Sequence, residues 1–281
     1  MPEEAVLAFS EQLSTIMEEY ESKNVFNCDE TGLYWKSLPE RTIESHHLKA
    51  TGRKALKERV TVLLSVNMCG EKLPLLIIGK FGNPRCFCKH NKNMVPCEYT
   101  HSKNAWMTRA IFNNWLSTLN RRMIIQQRKI LLFLDNATPH KAETEYSNVR
   151  LIFLPPNTTS VAQPGDQGIV WSFKCKYRKL LLEYVISGVE SKLQCQVAEK
   201  MNILQSMWLM KKAWDEVHSD VIINAFRQAK FITDAPQELP EEVPCNFIPD
   251  FQRYVTIDDQ LFSEELENID LDSNEVCSIH Y

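Results

Sequence analysis

Apolar residues open the chain at helical spacing. Val6, Leu7, Phe9, Leu13 and Met17 recur at short helical intervals among acidic positions, which predicts an amphipathic helix over 3–22. NVFNC (24–28) predicts a short strand ending at Asp29. VTVLLSVNM (60–68) and LPLLIIGK (73–80) are apolar runs separated by Cys69-Gly70-Glu71-Lys72, the pattern of a hairpin. Thr108 precedes apolar positions three and four apart over 108–125, so a helix capped by Thr108 is expected there. KILLFLD (129–135) is almost purely apolar, as in a central strand covered on both faces. VRLIFLP (149–155) repeats the pattern and is closed by Pro155-Pro156. After the Pro164-Gly165 turn the spacing is helical over 167–187, 196–216 and 219–230. Strands lead and helices follow, with one helix between strand runs. The fold class is therefore α/β, a mixed sheet flanked by helices with a C-terminal helical segment.

Charge divides the chain. Residues 1–230 hold 31 Lys/Arg against 23 Asp/Glu, a net +8, while residues 231–281 hold 13 acids against Arg253 alone, a net -12. The last segment also carries Pro236, Pro240, Pro244 and Pro249 and little periodicity. Two parts are expected: a folded domain over 1–231 and an acidic, mostly disordered tail over 232–281, open to protein partners. A basic body suits a polyanion, and the stretch Lys49, Arg53, Lys54, Lys57 and Arg59, with Lys174, Lys176, Arg178 and Lys179 on the 167–187 helix, offers phosphate contacts. No apolar run reaches about 18 residues, so no membrane span is expected. The acidic start lacks the basic region of a secretory signal. Nine irregularly spaced cysteines fit reduced thiols better than a disulfide framework.

Three aspartates share a context. Asp29 ends a strand-like run, Asp135 ends KILLFLD, and Asp166 sits in a turn that opens a helix. Carboxylates at adjacent strand ends can converge at one rim of a sheet. Converging carboxylates repel unless a cation neutralises them, and hard oxygen donors suit Mg²⁺ or Mn²⁺. The same residues are also ordinary turn and cap choices. Cys86, Cys88, His90, Cys97 and His101 form a second cluster, which reads either as Zn²⁺ ligands without the usual paired spacing or as a reduced surface loop. Trp106, Trp115, Trp171, Trp208 and Trp214 fall mostly on apolar helical faces and are expected in the core.

The words around the aspartates carry more. NVFNCDETGLYW (24–35), GRKALKERVTVLLSVNMCGEKLPLLIIGK (52–80), KILLFLDNATPH (129–140), VRLIFLPPNTTSVAQPGDQGI (149–169) and KKAWDEVHSDVIINAFRQAKF (211–231) occur in this order. Together they resemble the DDE endonuclease domain of the Tigger/pogo transposase-derived proteins, a group that includes jerky and centromere-protein-B-like members, over roughly residues 10–231. The resemblance implies an RNase H-like fold with catalytic, metal-binding acids at Asp29, Asp135 and Asp166. It implies two Mg²⁺ (or Mn²⁺) ions and cleavage or strand transfer of DNA phosphodiesters in the nucleus. A domesticated, inactive remnant that binds DNA or protein is the alternative. His140 matches the family's LDNxxxH pattern, and Asn136 and His140 are expected to support the acids. The family places a bulky apolar residue before the third acid, whereas Gly165 stands here, which is expected to loosen that acid. Family members carry helix-turn-helix modules ahead of this domain; without them, DNA would be held mainly through its phosphates.

Overall fold

The computed structural model describes residues 9, 13, 15–39, 58–88, 95–155, 158–188, 194–232 and 251–258. Six strands form one mixed sheet: β1 (Val25–Tyr34), β2 (Arg59–Asn67), β3 (Leu76–Gly79), β4 (Glu98–His101), β5 (Ile130–Leu134) and β6 (Val149–Phe153). They lie in the order β4-β3-β2-β1-β5-β6. β1, β2 and β3 are an antiparallel meander, and β5 and β6 run parallel to β1. The mixed sheet flanked by helices expected from the sequence is present. β5 sits between two neighbours and is buried along its whole length, which explains its unbroken apolar run.

Helices cover both faces. α1 (Arg109–Ile125) joins β4 to β5 and buries Phe112, Leu116, Leu119 and Met123 against one face. Thr108 caps it as expected, its hydroxyl accepting from the Ile111 N–H at 3.3 Å. On the other face lie α2 (Ile169–Ser187), α3 (Gln194–Lys200), α4 (Ile203–Glu216) and α5 (Ser219–Gln228). The single helix predicted over 196–216 is interrupted at Asn202. Its side chain accepts from the Gln205 N–H while the Gln205 side chain accepts from the Asn202 N–H, so a new helix starts there. Phe9 and Leu13 of the predicted first helix are helical and buried, within the larger core. Among the described residues no helix is long and apolar enough to cross a membrane.

Two expectations change. β1 does not end at Asp29 but continues to Tyr34, because β2 pairs with it through Arg59. The region from 232 onward is not uniformly tail. Phe251–Val255 forms a short helix, α6, followed by a turn through Asp258, and Phe251, Tyr254, Val255 and Asp258 are buried. The rest of that region, 233–250 and 259–281, lies outside the described residues. A buried ion pair fastens α6. Both Asp258 carboxylate oxygens accept from Arg178 Nη2 at 2.7 Å, and Asp258 Oδ1 also accepts from the Tyr34 N–H at 2.7 Å. Arg178 donates further to the Tyr34 and Ser37 carbonyls, and Tyr254 donates to the Ser37 carbonyl. Arg178 is therefore a structural cation with no exposed surface, and the phosphate contact expected of it is unavailable.

Breaking one partner of a buried pair strands the other. Asp258→Ala is expected to cost about 3–5 kcal/mol in urea unfolding, whereas Arg178→Met combined with Asp258→Leu recovers much of that loss. A chain ending at 232 should be destabilised to a similar extent. If it is as stable as the whole chain, α6 contributes nothing to the domain.

Candidate active site

β1 and β5 run parallel in the register Val25–Leu131 and Asn27–Phe133, and the same offset carried two residues on sets Asp29 opposite Asp135. Side chains alternate along β1, so Asp29 and Glu30 leave on opposite faces. Asp29 faces the α2 side and meets the turn that carries the third acid. The buried Asn27, two residues earlier on the same face, donates to the Phe133 carbonyl at 3.0 Å and accepts from the Gly165 N–H at 3.0 Å. One amide thus ties β1, β5 and the turn Pro164–Asp166 together. Gly165 is consequently held firmly, contrary to the loosening expected from a glycine there. A Cβ at this position would stand 2.5 Å from Asp29 Oδ2 and 2.6 Å from its Cβ, so the close approach of the first and third acids requires glycine.

Electrostatics shows the acids acting on one another. Burial raises the Asp29 carboxyl well above its ordinary value; the charges of Asp166, Glu30 and Asp135 raise it further, against an opposing hydrogen bond from Gln163. Asp166 is open to solvent on one side, yet loss of water and the charge of Asp135 raise it as well. Asp135 behaves oppositely. Burial pushes it up, but the hydrogen bond and positive charge of His140 outweigh this and hold it below its ordinary value.

His140 lies in a short turn after β5, buried against the ring of Phe112 at 4.8 Å. Its Nδ1 contacts Asp135 and its Nε2 lies 2.9 Å from Glu30 Oε1. Burial alone would lower the imidazole, but bonds to both carboxylates raise it to about 10, so the ring is a cation at neutral pH. Glu30 was not singled out in the sequence. The signal available was its parity: one residue beyond Asp29, it must leave by the α1 face, where His140 lies. Asn27 was missed as well, although a polar residue in an otherwise apolar strand is itself a signal. Asn136 is exposed beside Asp135, and the Ala137 N–H donates to Asp135 Oδ1 at 3.4 Å.

A cavity of about 400 Å³ opens beside Asp29 and Asp166. Trp171 and Lys174 of α2 and Thr256 and Asp258 after α6 line it further. The carboxylate set suits a hard divalent cation, which would relieve the repulsion that raises Asp29 and Asp166. Among the described residues no three His, Cys, Asp or Glu side chains form a ready-made metal cage. The acids would have to close around an ion. The zinc reading gains nothing, because Cys97 is buried and its thiol points to the Met207 carbonyl. His90 lies outside the described residues.

The expected phosphate contacts divide. Lys179 is exposed and Lys176 half-buried. Lys174 is buried, 3.9 Å from Asp258, and lines the cavity rather than the outer surface. Arg59 is buried over the Trp106 ring at 4.6 Å, so it is not the surface cation expected. Lys49, Arg53, Lys54 and Lys57 lie outside the described residues. Among the tryptophans expected in the core, Trp115 and Trp214 are buried, whereas Trp171 and Trp208 are exposed.

Comparison with known proteins adds the lineage. Residues 57–226 match the model of the DDE superfamily endonuclease family. The chain is 35% identical over 216 residues to Tigger transposable element-derived protein 4 of Mus musculus, covering 76% of this chain and 41% of the relative. It is 33% identical over 227 residues to CENP-B homolog protein 2 of Schizosaccharomyces pombe, covering 76% and 43%. The chain thus spans less than half the length of these relatives. Among solved structures, the Mos1 strand transfer complex aligns with a TM-score of 0.43 at 12% identity, over 84% of this chain and 62% of that one.

Two outcomes follow from the geometry. Gly165→Ala forces Asp29 and the turn apart and should cost about 1–3 kcal/mol in urea unfolding; a loss under about 0.5 kcal/mol would show spare room. The raised His140 contributes stability that is fully present below its ordinary value near 6.5 and lost as pH rises through about 10. In buffer containing EDTA, the advantage of wild type over His140→Gln should therefore shrink between about pH 6.5 and 10. An advantage constant across that window would mean that the imidazole is not charged.

Proposed function

Because the chain belongs to the DDE superfamily endonuclease family, with residues 57–226 matching its model, we propose that it cleaves DNA phosphodiesters in the nucleus using divalent metal held by Asp29, Asp135 and Asp166. One observation carries the reading: the Asn27 amide bonds both Phe133 of β5 and Gly165 of the turn, which brings the elements bearing all three acids together. A bound Mg²⁺ or Mn²⁺ pair would polarise the phosphate and lower the pKa of a bound water.

The chain's own groups supply the rest. Asp29 and Asp166 face the cavity in which a phosphate would lie, and Lys174 is the cation on its wall. His140 holds Asp135 from behind, so this carboxylate stays ionised and oriented toward an ion. Water attacks phosphorus as the bond to the leaving oxygen breaks; joining a freed end to a second strand would be the same displacement with a hydroxyl as nucleophile. Lys179 lies on the solvent side of α2, where it can meet phosphates of the DNA backbone.

A second reading, a domesticated DNA-binding module without turnover, draws on one observation: the acids do not form a ready-made metal cage among the described residues. Metal titration separates the two. Mg²⁺ or Mn²⁺ should raise the melting temperature of wild type and leave Asp135→Asn unmoved, by mass action on the folded state. In the absence of metal, Asp29→Asn should melt higher than wild type, since it removes a repelled carboxylate. Nicking of plasmid DNA by wild type and not by Asp135→Asn supports the enzyme. Metal binding without nicking favours the silent module, and equal metal responses in both proteins would overturn the site.

A further inference from the structure

A second cleft, of about 560 Å³, lies at the outer end of the meander. Its floor is apolar, with Trp35 beyond β1, Tyr99 of β4 and Ile203 of α4. Its rim carries Lys80 and Arg85, both exposed and without an ion-pair partner among the described residues. Phe81 also lines it and is 73% exposed, forgoing the burial that ordinarily stabilises a phenylalanine.

The loop presenting Phe81 is firmly held. The Tyr99 hydroxyl donates to the Phe81 carbonyl at 2.7 Å, and the Ser102 N–H donates to the Gly79 carbonyl at 3.0 Å. Tyr99 passes so close to Gly79 that a Cβ there would strike its hydroxyl. An aromatic face in water on a held backbone, beside an apolar floor and two cations without an ion-pair partner among the described residues, matches a flat ring joined to a negative group.

We infer that this cleft binds an unpaired nucleotide of a DNA strand, its base against Phe81 and its phosphates on Lys80 and Arg85. Stacking on an aromatic side chain is open to every base, but only when the base is out of its duplex stack. The cleft is therefore a single-strand site rather than a reader of sequence. Trp35 lies six residues beyond Asp29 along the β1 direction, roughly 20 Å at about 3.4 Å per residue, or about six bases along a duplex strand. One DNA molecule could engage the acids and, where it is unpaired, this cleft. The choice of DNA as the polyanion rests on the proposed function; the binding chemistry needs neither metal nor cleavage.

The test is fluorescence anisotropy with a labelled thymidine homo-oligomer in EDTA, at several salt concentrations. Phe81→Ala should weaken binding roughly tenfold with an unchanged salt slope, and Phe81→Tyr should restore it. Lys80→Ala with Arg85→Ala should lower the magnitude of the salt slope by about 1.4, at about 0.7 for each single-strand phosphate contact. All three surface variants should melt with wild type. Asp135→Asn should bind the oligomer as wild type does, so loss of nicking and loss of this site are separate outcomes. Unchanged affinity in Phe81→Ala would overturn the proposal. So would tighter Phe81-dependent binding of a fully paired duplex, or displacement of the oligomer by an acidic peptide more readily than by unlabelled oligomer.

Discussion

Negative charge gathered at one place on a sheet costs free energy, and much of the local architecture balances that cost. Asp29, Glu30, Asp135 and Asp166 all act on the same region, and two of them are raised partly by their neighbours' charges. On the α1 face the answer is a buried imidazolium: His140 bridges Glu30 and Asp135 and is charged because both carboxylates contact it. On the α2 face no cation among the described residues bonds Asp29, which receives the Gln163 hydrogen bond, while Lys174 stands on the cavity wall. The charge is thus neutralised on one side of the sheet and left unrelieved on the other, where the cavity opens. The metal ion and phosphate of the proposed function would lie on this α2 side.

Holding repelling groups together requires a stiff frame. β1 and β5 supply it through parallel pairing, and the Asn27 amide extends it to the turn before α2. Gly165 permits the contact, and the amide bond fixes it. Behind the cavity the Arg178–Asp258 pair fastens α6 to the end of β1 and to α2, so residues far along the chain become a wall of the site. A buried charge pair of this kind contributes little net stability over an apolar replacement, but losing one partner is costly. Its effect is to fix where α6 sits.

Local chemistry was readable wherever period and cap chemistry dominate. The apolar run at 130–134, the Thr108 cap and the hairpin between β2 and β3 follow from residues close in sequence. The ordered motifs around Asp29, Asp135 and Asp166 pointed to the family that residues 57–226 match. The family resemblance also marked His140, through the LDNxxxH pattern that runs from Asp135. The extension of β1 to Tyr34 was not readable, because it depends on Arg59 and Val60 of β2 lying alongside. Nor was the fate of the cations. Charge along a helix says nothing of which face is buried, and Arg178 turned inward because Asp258, eighty residues later, met it there.

The amino-acid order by itself determined the α/β class and the position of the turn that carries Asp166, and its ordered motifs marked the family, whose resemblance nominates Asp29, Asp135 and Asp166 as the acids. The class and the turn rest on short-range periodicity and on residue chemistry that any fold must respect. Only the tertiary structure decided which face each acid takes, that Glu30 rather than solvent answers His140, that a glycine is demanded at 165, and that α6 belongs to the body. Each of these arises from a contact between segments far apart in the chain, where distance in space, not sequence spacing, sets the energy.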